Sequence, residues 1–209
     1  MVSEVYCFET RNASHYTPAI VDTFAYVLVV FLLVATAERI WERRYSRQAK
    51  RGEQRMPWCY TALHSLHITI FAATGVEYFW LRRPPLWSVT GLGLGLFVVA
   101  LVVRLTAVRT LGKYWSLHLE IRPDHQLITD GIYRHLRHPA YSAIILEMLA
   151  VPLVGNSYYT LALAAGGFIP LLLVRWHREE QEMVKKFGER YVQYRQAVPA
   201  FIPWPWPRK

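Results

Sequence analysis

Five runs of mostly apolar residues follow one another along the chain, and charged segments separate them. The runs cover residues 18–37, 58–81, 86–103, 140–154 and 158–174. The first contains twenty residues, which is the length that an α-helix needs to cross the roughly 30 Å hydrocarbon core of a bilayer. The last two are shorter, and Gly155-Asn156-Ser157 between them predicts a tight turn. The pattern predicts an all-α fold, an integral membrane helical bundle with about five transmembrane helices.

Small and polar residues inside these runs predict contacts between helices. Glycine recurs at Gly91, Gly93 and Gly95. Because no strand pattern precedes these glycines, a close approach of two helices explains them better than a phosphate-binding loop. The second run also holds His64, His67 and Glu77. Polar side chains in membrane helices usually face other helices, so we expect these three to make contacts within the bundle.

The basic residues fall mainly on one side of the predicted membrane. Twenty-one of the 24 lysines and arginines lie after the first, third and fifth runs, and three lie in the alternate segments. Since lysine and arginine concentrate in cytoplasmic loops, this distribution predicts a cytoplasmic C-terminus and an N-terminus outside. An odd number of spans agrees with that orientation. The predicted localisation is therefore a multi-pass integral membrane protein.

Composition narrows the classes of function. The net charge of +9 suits nucleic acid or anionic lipid, but the basic residues flank apolar runs, which favours the membrane. Two cysteines provide neither a disulfide framework nor a CxxC metal site. Two HxxH pairs occur, but no HExxH and no adjacent histidines, so the ligand set of a membrane di-iron enzyme is missing. We predict no metal site and no nucleic-acid partner.

The segment that begins at Arg175 places a dense set of charges directly behind the fifth apolar run. A continuous helix would bring Arg175 and Glu179, which are four residues apart, to one face. Such a cluster at the mouth of a membrane segment indicates a functional site, and a solvated, salt-bridged surface helix is the alternative. A guanidinium at that depth suits the carboxylate or phosphate of a lipid.

His138-Pro139 stands just before the fourth apolar run. Proline is well suited to the first position of a helix because it lacks the N–H that would be unpaired there, so we predict a helix that begins at Pro139. Its free backbone donors and positive dipole end would attract an anionic group near His138 and Tyr141. A basic, capped membrane helix with interfacial aromatic residues explains the same pattern equally well.

Five ordered motifs carry a resemblance to a known family. They are Leu127-Ile128-Thr-Asp-Gly131-Ile132-Tyr133, Arg137-His138-Pro139-Ala140-Tyr141, Arg175-xxx-Glu179-Glu180, Phe187-Gly188-xx-Tyr191-xx-Tyr194 and Val198-Pro199-xx-Ile202-Pro203. In order and spacing they resemble the isoprenylcysteine carboxyl methyltransferase family. The resemblance covers residues 112–203, nearly half of the chain. It is specific for the superfamily and much weaker for the substrate.

The resemblance implies a helical membrane bundle whose cytoplasmic C-terminal part binds S-adenosylmethionine, while a lipid substrate reaches the methyl group from the bilayer. It divides the chain into transmembrane helices at residues 1–111 and a catalytic region at residues 112–209, which contains a helical hairpin and the cytoplasmic C-terminal helix. Arg175 and Glu179 are the implied catalytic residues, with Arg175 on the substrate and Glu179 on the cofactor. The implied cofactor-binding residues are His125, Gln126, Leu127, Ile128, Tyr133, His138, Pro139, Ala140, Tyr141 and Glu179.

The resemblance has one gap. A glutamine that the family uses before this segment has no secure equivalent here, and Glu120 is the nearest candidate.

The methyl acceptor decides what chemistry the site must perform. Methyl transfer from a sulfonium to a carboxylate is an in-line displacement that needs no general base, so positioning and exclusion of water suffice. An amine or thiol acceptor must lose a proton, which would make His177 or Glu180 a candidate base.

The expected function is an S-adenosylmethionine-dependent methyltransferase that acts on a lipid-like membrane acceptor. Prenylcysteine carboxylate is the family's best-known substrate, and phospholipid amines or small thiols are other acceptors. Sterol-reductase-like, NADPH-dependent oxidoreductases share a similar C-terminal His-Pro-x-Tyr and Tyr-xx-Val-Pro layout, although their bundles are larger. A non-catalytic membrane protein that binds a partner through the cytoplasmic helix is a third hypothesis. The expected partners are a lipid or lipidated substrate and the membrane, and the sequence indicates no oligomeric state.

Overall fold

A computed structural model describes residues 18–46, 53–54, 56–112, 115, 120–121 and 127–203 of the chain. The helices are α1 (Pro18–Ser46), α2 (Pro57–Leu81), α3 (Trp87–Leu111), α4 (Pro139–Val154), α5 (Tyr158–Leu163), α6 (Ile169–Phe187) and α7 (Glu189–Ala197). A π-helical segment (Ala164–Phe168) joins α5 to α6, and a 3₁₀ helix (Gly131–Arg134) precedes α4. The two-residue strands β1 (Glu53–Gln54) and β2 (Glu120–Ile121) pair antiparallel. The fold is helical, as the sequence predicts.

Three described helical stretches are long and apolar enough to cross a membrane. They are Thr23–Arg44, Trp87–Leu111 and Tyr158–Phe187, the last of which runs from α5 through the π-helical segment into α6. Pro139–Val154 is apolar but shorter, and the polar residues of α2 dilute its apolar character. The membrane character of the chain is therefore confirmed, whereas the count of five spans and the orientation stay predictions.

The outward faces of these helices suit lipid. Leu33, Val34, Leu92 and Val98 are all exposed, and such a continuous apolar surface would be unusual in water. Trp80, at the end of α2, is 83% exposed. Aromatic residues are enriched where a helix leaves the hydrocarbon core, so this tryptophan fits a membrane–water interface.

The core of the bundle depends on a close approach between α3 and α4. A side chain at Gly93 would place its Cβ 2.6 Å from the backbone nitrogen of Val154 and 3.0 Å from the carbonyl oxygen of Ala150. The predicted close contact is thus confirmed at Gly93, while Gly91 and Gly95 face open space. Beside this contact lies a buried apolar cluster that α1 supplies in large part, made of Phe24, Leu28, Phe31, Ala35, Tyr78, Phe97, Ala150, Val151 and Val154.

The predicted turn between the last two apolar runs is confirmed, and side chains from other helices hold it. Asn156 adopts a left-handed conformation with φ 53°, and its amide donates to Thr90 Oγ1 at 2.8 Å. The carboxylate of Glu77 accepts from the backbone nitrogens of Tyr159 at 3.0 Å and Thr160 at 2.8 Å. A carboxylate satisfies the unpaired donors at a helix start, so Glu77 fixes α5 against α2.

Two helices extend beyond the apolar runs that predicted them. α1 continues to Ser46 and α3 to Leu111, so the interpretation of Arg39 and Arg104 as loop residues is wrong. Both side chains are nearly buried, with 11% and 3% of their area exposed. The helices continue because carboxylates within the bundle neutralise both guanidinium groups, which makes their burial tolerable.

Candidate functional site

The start of α4 is held by the chain that follows α7. α4 begins at Pro139 with His138 as the residue before it, which confirms the predicted start. The backbone nitrogens of Arg137 and His138 donate to the carbonyl oxygens of Pro199 at 2.9 Å and Ala200 at 3.0 Å. Residues 198–203, here called the C-terminal strap, therefore fix the position of this helix end. The motif containing Val198 and Pro199 thus has a structural role next to the His-Pro motif.

Glu180 of α6 joins three parts of this region. Its Oε1 lies 2.6 Å from His138 Nε2 and accepts a hydrogen bond from the Tyr191 hydroxyl at 2.8 Å. Its Oε2 lies 3.5 Å from Nη1 of Arg137. The side chain of Glu180 is buried, and these partners compensate its charge. Glu180 therefore ties α6 to the start of α4 and to α7.

Glu179, the preceding residue, faces a different set of side chains. The Tyr141 hydroxyl donates to Glu179 Oε2, and His138 Nδ1 lies 4.0 Å from Glu179 Oε1. One helical turn earlier, the guanidinium carbon of Arg175 lies 5.9 Å from the centre of the Tyr141 ring. We call the side chains of His138, Tyr141, Arg175 and Glu179 the cup. The structure thus brings together four of the residues that the sequence predicts for one site.

Aromatic and apolar residues surround the cup. The ring centres of Trp176 and Phe201 lie 4.9 Å apart, and they lie 6.3 Å and 6.2 Å from the centre of the His138 ring. Tyr141 also belongs to a buried apolar cluster that reaches into the bundle, whose other members are Cys59, Leu63, Ile70, Met148, Ala164, Phe168 and Leu172. The charged groups of the cup therefore lie between a wall of aromatic rings and the apolar interior of the bundle.

Two tyrosines outside the membrane-spanning helices lie near the carboxylates of Glu179 and Glu180. Burial raises the pKa of the Tyr133 hydroxyl, and the nearby Glu179 carboxylate raises it further. Burial also raises the pKa of Tyr191, and its hydrogen bond to Glu180 adds to the effect. Both hydroxyls therefore stay protonated at neutral pH and can donate. Tyr194 donates to the Tyr133 carbonyl oxygen at 2.6 Å, which connects α7 to the 3₁₀ helix.

The remaining predicted residues lie at different distances from this centre. Pro139 and Ala140 form the first turn of α4 beside the cup. Leu127 and Ile128 are partly buried in the segment before the 3₁₀ helix. His125 and Gln126 lie outside the described residues. Glu120 lies in β2, opposite Gln54. The cofactor and substrate roles of all these residues remain predictions.

Part of this arrangement was not expected from the sequence. Glu180 was a candidate base, but its bonds to His138 and Tyr191 occupy it within the protein. His177, the other candidate base, contacts Gln181 on the exposed side of α6 at 3.1 Å. The adjacency of Glu179 and Glu180 was the available signal, because neighbouring helical residues point in different directions. Among the described residues, no three His, Cys, Asp or Glu side chains gather as metal ligands.

The fold and this geometry define a small helical membrane protein with a cup of ionisable and aromatic side chains at one end of its bundle. The chain is similar to the isoprenylcysteine carboxyl methyltransferase (ICMT) family, whose model matches residues 93–185. That stretch includes the first part of the predicted catalytic region and all four residues of the cup.

Similar proteins include one that the match covers over nearly its whole length and others that the match covers in part. Protein YpbQ of Bacillus subtilis is 27% identical over 77% of this chain and 96% of its own length. Human protein-S-isoprenylcysteine O-methyltransferase is 32% identical over 68% of this chain and 52% of its own. Protein-S-isoprenylcysteine O-methyltransferase B of Arabidopsis thaliana is 29% identical over 56% and 61%. The chain thus spans little more than half the length of these two named enzymes.

A solved structure shares the fold. It is that of a eukaryotic intramembrane Ras methyltransferase, ICMT, with a TM-score of 0.54 and 22% sequence identity. The match covers 68% of this chain and 52% of that one. At this level of identity, the comparison supports a common helical arrangement.

Proposed function

We propose that this protein is an S-adenosylmethionine-dependent methyltransferase that acts on a lipid-like acceptor in the membrane. The observation that carries the proposal is the convergence of His138 and Tyr141 from α4 with Arg175 and Glu179 from α6. These groups lie between the aromatic rings of Trp176 and Phe201 and an apolar cluster of the bundle. A site of this kind can bind a polar cofactor next to an apolar acceptor.

The residues of the cup fit S-adenosylmethionine. Glu179 provides a carboxylate for a cationic group, and Tyr133 and Tyr141 provide hydroxyl donors beside it. The indole N–H of Trp176 is buried and, among the described residues, has no hydrogen-bond partner. A buried donor of this kind suits an acceptor on a ligand, because leaving it unpaired is costly. Leu127, Ile128, His138, Pro139 and Ala140 would complete the pocket, together with His125 and Gln126. Bound there, the cofactor would supply an activated methyl group.

Arg175 is the residue that would hold the methyl acceptor. Its guanidinium lies beside Tyr141 at the boundary between the cup and the apolar cluster. A guanidinium can orient a carboxylate through two parallel hydrogen bonds and still leave it nucleophilic. A carboxylate carries no proton to remove, so the engagement of Glu180 by His138 and Tyr191 is no obstacle to transfer. We therefore propose a carboxylate acceptor of the prenylcysteine type, consistent with the names of the human and Arabidopsis relatives.

The charge distribution supports a location of the cup at the inner face of the membrane. In the predicted topology, the segments that carry twenty-one of the 24 basic residues lie on the same side as the start of α4 and the charged half of α6. Because positive residues are retained in the cytoplasm, we propose that the cup opens there. A cytoplasmic opening would give the protein access to S-adenosylmethionine made in the cell.

Ligand-dependent thermal stabilisation in detergent tests this proposal. S-Adenosylhomocysteine should raise the melting temperature in proportion to the logarithm of its concentration, because it binds the folded state only. NADPH serves as the control, since a sterol-reductase-like oxidoreductase would respond to it instead. Stabilisation by NADPH without stabilisation by S-adenosylhomocysteine would overturn the methyltransferase proposal. Stabilisation by neither ligand would favour a non-catalytic membrane protein.

A further inference from the structure

α4 is apolar on every side except at one residue. Between Pro139 and Val154 the single charged side chain is that of Glu147, and none of its area is exposed. A carboxylate is costly to keep inside a membrane bundle, and residues of this kind usually have a specific role. The proposed methyltransferase site does not use Glu147, which lies six residues after Tyr141.

Two arginines from other helices bind Glu147. Nε of Arg39 on α1 donates to Glu147 Oε1 at 2.8 Å, and its Nη2 contacts Oε2. Arg104 on α3 donates to Glu147 Oε2 through Nη2. Two planar guanidinium groups that bind one carboxylate restrict its movement. Glu147 therefore fastens α4 to α1 and to α3 at the same point.

The two arginines also have carboxylate partners of their own. Arg39 Nη1 lies 2.5 Å from Glu42 Oε2, and Arg104 Nη1 donates to the two oxygens of Glu38 at 3.0 and 3.2 Å. We call these five side chains the ionic centre; in the described part of the chain they comprise three carboxylates and two guanidinium groups. On α2, His67 Nε2 lies 3.9 Å from Glu147 Oε1.

Charge balance does not explain why Glu147 is present. Without its charge, Arg39 would still pair with Glu42 and Arg104 with Glu38, which leaves an electrically neutral set. Within these five side chains, Glu147 is thus the carboxylate beyond two ion pairs, and Arg43 on α1 adds a further positive charge that acts on the neighbouring His67. Burial of an excess charge lowers stability unless something offsets it, so its presence indicates a role in specifying geometry.

A largely apolar helix gains from such a device. The polar contacts of Tyr141 and Ser142 lie near the start of α4 and the close approach to Gly93 lies near its end, so Glu147 is the polar contact in its middle. A single buried polar residue can fix the register of packed helices, at some cost in stability. On α4 this register matters, because a shift by one residue turns the helix by about 100°. Tyr141 and the start of the helix at His138 would then no longer face Glu179 and Glu180.

We propose that Glu147 is a positioning residue: held by Arg39 and Arg104, it sets the rotation and depth of α4 and so places Tyr141 and His138 against α6. The catalytic part of this inference rests on the proposed methyltransferase function. Glu147 itself does not touch the substrate or the cofactor. Its contribution is to keep His138 and Tyr141 within hydrogen-bonding distance of the carboxylates on α6.

The first test separates position from stability. In Glu147→Gln the remaining ionic pairs are balanced, so the melting temperature should stay within a few degrees of the unmodified protein. Turnover of a prenylcysteine acceptor should fall by about 100-fold, because a displacement of about 1 Å in a reacting site costs that much. Glu147→Met is the second variant, with an apolar chain of similar length. Loss of the folded protein in both variants would overturn the proposal, since Glu147 would then be a stability element.

A matched control is a second polar contact between α3 and α4, at the end of α4 that lies away from the cup. Thr90 of α3 donates to the Val154 carbonyl oxygen of α4 at 3.2 Å. Thr90→Val should lower the melting temperature and leave turnover unchanged, because it removes two hydrogen bonds, to Val154 and from Asn156, that lie far from the cup. If Glu147 had a purely structural role, a Glu147→Gln variant that keeps its melting temperature would also keep its turnover.

A cross-link reports the rotation of α4 without any measurement of activity. Ser142 Oγ lies 2.7 Å from the carbonyl oxygen of Phe201 in the C-terminal strap. The double variant Ser142→Cys/Phe201→Cys, in a background with Cys7→Ala and Cys59→Ala, should form a disulfide under mild oxidation when Glu147 is present. The disulfide should be largely lost in the Glu147→Gln background. An unchanged cross-link, or a lost cross-link with unchanged turnover, would overturn the proposal. If the unmodified protein transfers no methyl group, the methyltransferase proposal fails, and the cross-link still decides the role of Glu147.

Discussion

The cup and the ionic centre both place carboxylates out of water, but they compensate the charge in different ways. In the ionic centre, guanidinium groups bind every carboxylate directly. In the cup, the direct partner of Glu179 is the neutral hydroxyl of Tyr141, with Tyr133 close by. The neutral hydroxyl does not cancel the charge of Glu179, although the Arg175 guanidinium in the same cup offsets part of it, so we expect the carboxylate to attract a cationic ligand. The difference indicates that the ionic centre fixes helices and that the cup binds.

The largest effect should come from removal of the cup carboxylate. Glu179→Ala should abolish stabilisation by S-adenosylhomocysteine and lower turnover by about 100-fold or more, because a charge-assisted contact to the cofactor is lost. The thermal shift and the rate of methyl transfer measure these two effects. Glu182→Ala is the matched control: Glu182 lies on the same helix and is bonded to the exposed Lys185 at 2.6 Å. Equal behaviour of the two variants would contradict the role given to Glu179.

Single substitutions in the ionic centre should lower the stability of the protein. Arg39→Gln removes the cation shared by Glu42 and Glu147, and an uncompensated buried carboxylate costs about 3–5 kcal/mol. We expect a large fall in melting temperature with little folded protein. The double variant Arg39→Gln/Glu42→Gln removes one charge of each sign and should recover much of that loss. Absence of recovery would show that these residues do not act as one ionic unit.

The helical geometry of the site was largely predictable, whereas its ionic contacts were not. The start of α4 at Pro139, the turn around Asn156 and the close approach at Gly93 each follow from local backbone chemistry. The contact between Arg39 and Glu147 joins residues 108 positions apart, and no periodic pattern reports such a pair. A run of apolar residues ends where the first charged residue occurs, so the runs predict loops at Arg39 and Arg104. The helices nevertheless continue to Ser46 and Leu111.

The arrangement around Glu180 shows the same limit at the site itself. The motif that contains Glu179 and Glu180 marks both carboxylates as important. The resemblance assigns Glu179 to the cofactor, but it does not show that other side chains of the protein bind Glu180, because that depends on the positions of His138 and Tyr191. The structure assigns Glu180 to His138 and Tyr191.

A smaller and more selective effect is expected at Arg175. Arg175→Ala should retain stabilisation by S-adenosylhomocysteine, because Glu179 and the tyrosines remain. Turnover of a carboxylate acceptor should fall by about 10- to 100-fold, as expected for loss of a charge-assisted hydrogen bond to the substrate. Arg178→Ala, on the exposed side of the same helix, is the control. Loss of the cofactor response in Arg175→Ala would mean that this arginine serves the cofactor instead.

The smallest effect should come from the connection between α7 and the 3₁₀ helix. Tyr194→Phe removes the hydrogen bond to the Tyr133 carbonyl oxygen, and one such bond contributes about 1 kcal/mol. We expect a fall of a few degrees in melting temperature and a cofactor response of nearly normal size. Thermal unfolding with and without S-adenosylhomocysteine measures both. A loss of cofactor response as large as that of Glu179→Ala would place Tyr194 within the binding site.

Transfer of a radiolabelled methyl group tests the central claim most directly. The purified protein in lipid vesicles is incubated with S-adenosylmethionine labelled in its methyl group and with an N-acetylated prenylcysteine, and base-labile label is counted in the organic extract. The proposed mechanism predicts a methyl ester with the unmodified protein and with Glu182→Ala, and almost none with Glu179→Ala. Label at the level of the protein-free control in all three samples, although S-adenosylhomocysteine binds, would contradict a carboxylate acceptor of this type.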